Sequence, residues 1–164
     1  MLDTRTRKLT LAGIFVAAAV LGGVFSFPVL GSRCAPMQHL VNILAAVFLG
    51  PLWGVGAAFV ASLLRNIAGV GTLMAFPGSM IGALLCGLIY HYTRRIGLTC
   101  IAEAFGTGIL GALAAYPVAA FLMGLNPASY TVYIVPFLIS TGEGSILAYL
   151  LLRFLLPKIR REKL

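Results

Sequence analysis

The chain has 164 residues, of which 60% are hydrophobic and only 10% are charged, and its mean hydropathy is +1.02. One core of a soluble domain of this size could not bury so much apolar surface, so the composition indicates an integral membrane protein. The formal net charge is +8, but the basic residues gather at predicted helix ends without interleaved aromatic side chains, which argues against a nucleic-acid-binding surface.

Hydrophobic runs separated by Gly, Pro or charged residues predict six membrane-spanning helices in one all-α transmembrane domain over residues 1–164. In chain order they cover about residues 8–26, 36–50, 51–70, 73–93, 100–124 and 131–157. The first run also begins like a signal peptide, but its length and the runs that follow favour a retained helix. Five helices, one of them bent, are the alternative arrangement.

Positive charge predicts the orientation of these helices. With six spans, the N-terminus, the loop carrying Arg94 and Arg95, and the basic C-terminal tail share one face, which the positive-inside rule makes cytoplasmic. The opposite loops hold a single basic residue, Arg33. Both termini are therefore expected in the cytoplasm, and an odd number of spans would send the basic tail outward.

The first helix carries small residues on nearly a whole side. They form the pairs Gly13-x3-Ala17, Ala18-x3-Gly22 and Ala19-x3-Gly23. Small side chains let helix backbones approach closely in a membrane. Two interpretations stay open: packing within the chain, or docking of a separate membrane protein.

Three polar residues open the second helix. Gln38, His39 and Asn42 lie three and four residues apart, so they crowd one helix face. An imidazole and two amides offer donors and acceptors that suit a small polar heteroaromatic ligand. The alternative is that they tie helix ends together near the lipid headgroups.

Glu143 interrupts an apolar stretch, residues 132–156, that is long enough to cross a bilayer. A carboxylate there costs about 2.5 to 3.5 kcal/mol on insertion scales, so we expect it to face protein, water or a ligand. Ser140, one turn earlier, is expected to share its face. Arg65 and Asn66 lie late in the third helix, about 9 Å from the depth of Glu143, so an ion pair of Arg65 with Glu143 is the alternative to ligand contact.

Aromatic residues fall toward the predicted outer face, where some form an interfacial belt. Tyr116 and Tyr133 lie just inside the membrane on the last two helices. We expect this pair to stack on an aromatic ligand.

Two further sets of residues are assigned no part in a site. Glu103 is predicted near the cytoplasmic start of the fifth helix, where the helix dipole stabilises a carboxylate. Cys34, Cys86 and Cys100 lie far apart without metal-ligand spacing, so we expect no disulfide, metal or cofactor.

The segment from Phe27 to Tyr90 resembles the ThiW family of substrate-binding S-components of energy-coupling factor (ECF) transporters. The resemblance is carried by FPVLG at 27–31, PMQH at 36–39, SLLRN at 62–66, GTL at 71–73 and AFPGSMIGALL at 75–85. The segment that these elements span is about 40% of the chain. The later helices match the family in length and order.

The resemblance implies a binding protein of the prokaryotic plasma membrane, and not an enzyme. Such proteins capture a thiamine precursor outside, here 4-methyl-5-(2-hydroxyethyl)thiazole, and topple to release it, powered by a membrane scaffold protein and two cytoplasmic ATPases. The family docks on the scaffold through an A-x3-A pattern in helix one, of which Gly13-x3-Ala17 is the nearest equivalent. His39, Asn42, Asn66 and Glu143, with aromatic faces, suit an uncharged thiazole.

Three alternatives remain open. The ligand could be thiamine or another small heteroaromatic vitamin. An intramembrane hydrolase would use Cys34 or Ser140 with His39 and Glu143, although the sequence has neither an HExxH nor a GxSxG motif. A self-sufficient channel or exchanger would form by oligomerisation. The sequence contains no GxxxxGK[ST] loop, so ATP hydrolysis would come from partner subunits.

Overall fold

The computed structural model describes residues 4–29 and 32–161, most of which are helical. The helices are α1 (Thr4–Gly22), α2 (Pro36–Phe48), α3 (Pro51–Ile67), α4 (Ala75–Thr93), α5 (Ile96–Leu122) and α6 (Ile134–Arg161). Over the described residues, their number and order agree with the prediction. Four of the helices, α1, α4, α5 and α6, are long and apolar enough to cross a membrane, whereas α2 and α3 are shorter and apolar.

A pair of short strands joins α1 to α2. After a 3₁₀ turn at Gly23–Phe25, β1 (Phe27–Val29) pairs antiparallel with β2 (Ser32–Cys34), with Phe27 opposite Cys34. The sequence predicted only a loop here, because three-residue strands carry too little periodicity to detect. Leu30 and Gly31 of the FPVLG element lie outside the described residues, as do residues 1–3 and 162–164 of the predicted domain.

Helix α4 lies at the centre of the bundle and packs against α2, α3 and α5. Its buried face consists of small residues spaced three or four apart: Gly78, Ser79, Gly82, Ala83, Cys86 and Gly87. A Cβ atom added at Gly111 of α5 would lie 2.5 Å from the Cα atom of Gly78. Glycines therefore let the backbones of α4 and α5 touch, as small residues do in membrane bundles.

Helix α5 is irregular. Two π-helical stretches, Gly106–Gly111 and Val118–Leu122, flank a short α-helical piece at Ala112–Pro117. Pro117 has no backbone N–H to donate, which disfavours regular α-helical bonding there. A π-helical turn holds an extra residue and rotates every side chain that follows it, so the 3.6-residue period does not continue through α5.

Candidate functional site

Buried polar side chains meet in the middle of the bundle. Gln38, His39 and Asn42 are 4%, 6% and 2% exposed, so they share one face of α2, as their spacing predicts, and that face is buried. Arg65 of α3 is 2% exposed, and Glu103 of α5 is fully buried. Polar groups removed from water in this way must find partners within the protein.

Glu103 is the centre of this network. Its Oε1 atom lies within hydrogen-bond distance of three side chains: His39 Nδ1 at 3.0 Å, Asn42 Nδ2 at 3.1 Å and Thr107 Oγ1 at 3.1 Å. Its Oε2 atom has no hydrogen-bond partner among the described residues. A Cβ atom at Gly82 would lie 2.6 Å from Oε2, so the space for this carboxylate depends on a glycine of α4.

The prediction that Glu103 lies at the cytoplasmic start of its helix is wrong. Helix α5 begins at Ile96, not near residue 100, so Glu103 lies seven residues, or about 10 Å, into the helix. At that depth the positive end of the helix dipole no longer explains the carboxylate. Hydrogen bonds from neighbouring helices hold it instead.

His39 links Glu103 to Ser140. Its Nε2 atom lies 3.1 Å from Ser140 Oγ, which in turn accepts a hydrogen bond from the backbone N–H of Ala35 at 2.8 Å. This chain of bonds fits a neutral imidazole that donates from Nδ1 to Glu103 and accepts at Nε2 from the serine hydroxyl, a tautomer assigned from the network. A Cβ atom at Gly144 would lie 2.7 Å from His39 Cβ, so α6 approaches α2 closely beside the imidazole.

Arg65 is held by neutral acceptors. Its guanidinium donates to the side-chain oxygen of Gln38 and, at 3.4 Å, to the carbonyl oxygen of Val70. In the described part of the chain, no carboxylate oxygen lies within 4.0 Å of it, and its Nε atom has no partner. The alternative of an ion pair between Arg65 and Glu143 is therefore wrong.

A narrow cavity lies between the strand pair and the ends of α2, α3, α4 and α6. The cavity has a volume of about 30 Å³. The residues lining the cavity are Ser32, Arg33, Ala35, Gln38, His39, Arg65, Thr72, Ala75, Gly78, Ser79, Thr107, Phe137 and Ser140. Four of the predicted site residues, Gln38, His39, Arg65 and Ser140, are thus brought to one cavity.

The strand pair covers this cavity and is fastened at both sides. Arg33 Nη1 donates to the carbonyl oxygen of Gly69 at 3.3 Å, beyond the end of α3. The thiol of Cys34 donates to the carbonyl oxygen of Pro136 at 3.2 Å, in the first turn of α6. Burial, together with the negative charge of Glu143, raises the pKa of this thiol above its ordinary value of 9.0.

Glu143 does not join the site. Its side chain is exposed and it is absent from the cavity wall, so the expectation that Ser140 shares its face is wrong. Buried positions recur along α6 at Ser140, Thr141, Gly144, Ser145 and Ala148. On a helix of 3.6 residues per turn, this pattern places residue 143 outside the buried face.

The other predicted contacts fall outside the cavity. Asn66 is half-buried and donates to two backbone carbonyls, which ties the end of α3 to the following loop. Tyr116 stacks on Tyr130 with ring centroids 4.2 Å apart, and Tyr133 is buried beside Phe137. Neither Tyr116 nor Tyr133 lines the cavity, whose wall includes Phe137, and the stacking of the two tyrosines on a ligand stays a prediction.

The small residues of α1 divide into two groups. A Cβ atom at Gly22 would lie 2.5 Å from Met37 Cβ, and one at Gly23 would lie 2.6 Å from Arg65 Nε, so this end of α1 packs within the chain. Gly13 and Ala17 are exposed, and a Cβ atom at Gly13 would meet nothing within 4 Å. Of the three pairs in this described segment, Gly13 and Ala17 leave an exposed surface.

Comparison with known proteins completes these observations. A family model described as thiamine-precursor transporter protein (ThiW) matches residues 9–158. Among curated proteins, none matches the sequence. The family match extends well beyond the segment from Phe27 to Tyr90, and it agrees with a multi-pass membrane protein whose helices include four that are long and apolar enough to span a bilayer. The chain therefore belongs to the ThiW family of thiamine-precursor transporter proteins.

Proposed function

We propose that this chain is the substrate-binding S-component of an ECF-type uptake transporter and that it binds 4-methyl-5-(2-hydroxyethyl)thiazole beneath the strand pair. The observation that supports this most is the cavity wall formed by His39 and Ser140, with the imidazole held by buried Glu103. The thiazole is uncharged at neutral pH, its ring nitrogen accepts hydrogen bonds, and its hydroxyl both donates and accepts. Ser140 and Gln38 offer the matching donors and acceptors, and Phe137 offers an aromatic face.

Binding must enlarge the cavity. A cavity of about 30 Å³ holds one or two water molecules, not a substituted thiazole. The helices around it are locked by glycine contacts, whereas the strand pair is fastened by single bonds such as those of Arg33 and Cys34. We therefore expect β1 and β2 to move outward when the ligand enters.

The membrane arrangement is also part of the proposal. All six helices cross the plasma membrane of a prokaryote as one domain, both termini are cytoplasmic, and the strand pair faces outward. The exposed positions Gly13 and Ala17 dock on the membrane scaffold protein, which works with two cytoplasmic ATPases to drive toppling and release. The exposure of this pair supports the assignment.

Calorimetry on the purified protein tests the ligand. Titration with the thiazole alcohol, a hydroxymethylpyrimidine and thiamine should give one-to-one binding of the thiazole. His39→Ala should weaken this binding at least about tenfold, because the Ser140 hydroxyl loses the hydrogen bond that orients it. His91→Ala is the matched control, because His91 is exposed at the far end of α4. Tighter binding of thiamine would favour the alternative ligand, and binding of none of the three would refute the proposal.

One observation favours a second candidate, an intramembrane hydrolase. Ser140 Oγ, His39 and Glu103 follow in the order of nucleophile, base and orienting carboxylate, at 3.1 and 3.0 Å. Cys34, the other predicted nucleophile, donates to Pro136 instead. The hydrogen bond from Ala35 N–H to Ser140 Oγ makes the serine a weaker nucleophile, so transport remains our first proposal. Labelling by a fluorophosphonate that disappears in Ser140→Ala would favour the hydrolase, and ligand binding without labelling would favour transport.

A further inference from the structure

Arg65 is a buried cation that no carboxylate in the described part of the chain neutralises. It is 2% exposed, and two of its five N–H groups donate to uncharged oxygens, of Gln38 and Val70. The two acidic residues in the described part of the chain lie elsewhere, since Glu103 is bonded to His39 and Glu143 is exposed. Taking a guanidinium out of water is costly unless an opposite charge meets it.

Further positive groups point to the same cavity. Arg33 of β2, whose exposed side chain donates to the carbonyl oxygen of Gly69, lines it together with Arg65. Ala75, the first residue of the 19-residue helix α4, and Ala35, which directly precedes α2, line it as well. Helix N-termini carry partial positive charge, although here the N–H groups of Ala35, Ala75 and Phe76 already donate to oxygens within the protein. Two arginine residues and the positive ends of two helices therefore line one small space.

We infer that the cavity binds an anionic substituent of the ligand, a carboxylate or a phosphate monoester, through Arg65 and Arg33. The inference rests on the proposed function, which places the heteroaromatic ring beside His39, and it widens the substrate class from the neutral alcohol to its charged derivatives. An arginine can hold either anion with two parallel hydrogen bonds. The carboxylate of Glu103 repels an anion from the other end of the site, so the substituent points to Arg65 and the ring to His39.

The test compares three ligands on the unmodified protein by calorimetry: the thiazole alcohol, its phosphate monoester, and a 4-methylthiazole carrying a carboxylate in place of the hydroxymethyl group. At least one anionic derivative should bind at least about tenfold tighter than the alcohol, because it forms charge-assisted hydrogen bonds. The tighter of the two identifies the substituent. Raising the salt concentration should weaken its binding more than that of the alcohol.

Three substitutions test which residues cause the tighter binding of the anionic derivative. Arg65→Gln should abolish the preference for the anion but retain binding of the alcohol, and Arg33→Gln should reduce the preference. Arg95→Gln, at an exposed position between α4 and α5, should leave it unchanged. If Arg65→Gln does not fold, the ligand comparison and Arg33→Gln still decide the question.

The possible failures are distinguishable. If the alcohol binds and neither anionic derivative binds tighter, this inference is overturned while the proposed function stands. If an anionic preference survives in Arg65→Gln, the assignment to Arg65 is overturned. If no thiazole binds, the proposed function fails together with the inference.

Discussion

Replacing Glu103 by alanine should destabilise the protein by about 2 to 4 kcal/mol. The imidazole Nδ1 of His39 would lose its only partner among the described residues, at a cost of about 1 to 3 kcal/mol. Asn42 and Thr107 would each lose one bond but keep an acceptor, the carbonyl oxygens of Ser79 and Gly78 respectively. With about 2 to 4 °C per kcal/mol for chains of this size, the melting temperature should fall by on the order of 10 °C.

Scanning calorimetry of the detergent-solubilised protein measures this effect. Glu103→Gln keeps an acceptor at the Oε1 position and should cost less, about 1 kcal/mol. Glu143→Ala is the matched control, because its side chain is exposed, and it should change stability by less than about 0.5 kcal/mol. An equal loss in Glu143→Ala, or no loss in Glu103→Ala, would refute the assignment of Glu103 as the organising carboxylate.

Three further variants test the packing, the strand pair and the docking surface. Gly82→Ala should destabilise the protein by about 1 to 3 kcal/mol and weaken thiazole binding, whereas Gly142→Ala, whose Cβ meets nothing within 4 Å, should do neither. Equal melting temperatures of the two variants would contradict the crowding of Gly82 against Glu103. With the other cysteines replaced by serine, Cys34 should react slowly with a maleimide at neutral pH, because its raised pKa keeps the thiol protonated. The reaction rate should still rise above pH 9, and a plateau below pH 9 would contradict the raised pKa. Gly13→Leu should abolish transport but spare thiazole binding, whereas Gly22→Leu should damage both transport and binding by displacing Met37. Loss of thiazole binding in Gly13→Leu would show that the surface around Gly13 packs within the chain.

Much of the helix pattern could be predicted because its signals are local. The break between α2 and α3 follows from Gly50, whose φ of 90° suits glycine, and from Pro51 at the first helical turn. That Gln38, His39 and Asn42 share one helix face follows from helical spacing. Both signals depend on a few adjacent residues, so distant contacts do not alter them.

Glu103 was missed because one helix boundary was misplaced. A turn of only Arg94 and Arg95 separates α4 from α5, and Arg94 adopts a left-handed conformation with φ 53°. Assuming a longer loop moved the start of α5 to residue 100 and put Glu103 in its first turn. One signal was present: Glu103 is one of four acidic residues in the chain and stands in an apolar run.

The direction in which a single side chain faces could not be predicted from periodicity alone. The cost of a carboxylate in lipid indicates only that Glu143 avoids lipid, not which way it faces within the protein. The small and polar residues of α6 mark a buried face, and Glu143 lies outside it. Tyr116 lies between two π-helical stretches of α5, so its direction does not follow from a regular helix. The strand pair and its contact through Arg33 depend on pairing between distant segments.

A structure of the protein with the thiazole alcohol bound tests the central claim most directly. The account predicts the ring between His39 and Phe137, its hydroxyl or ring nitrogen within hydrogen-bond distance of Ser140 or Gln38, and β1 and β2 displaced outward. A ligand seated elsewhere, such as the apolar groove between α1 and α3, with the strand pair unmoved, would contradict it.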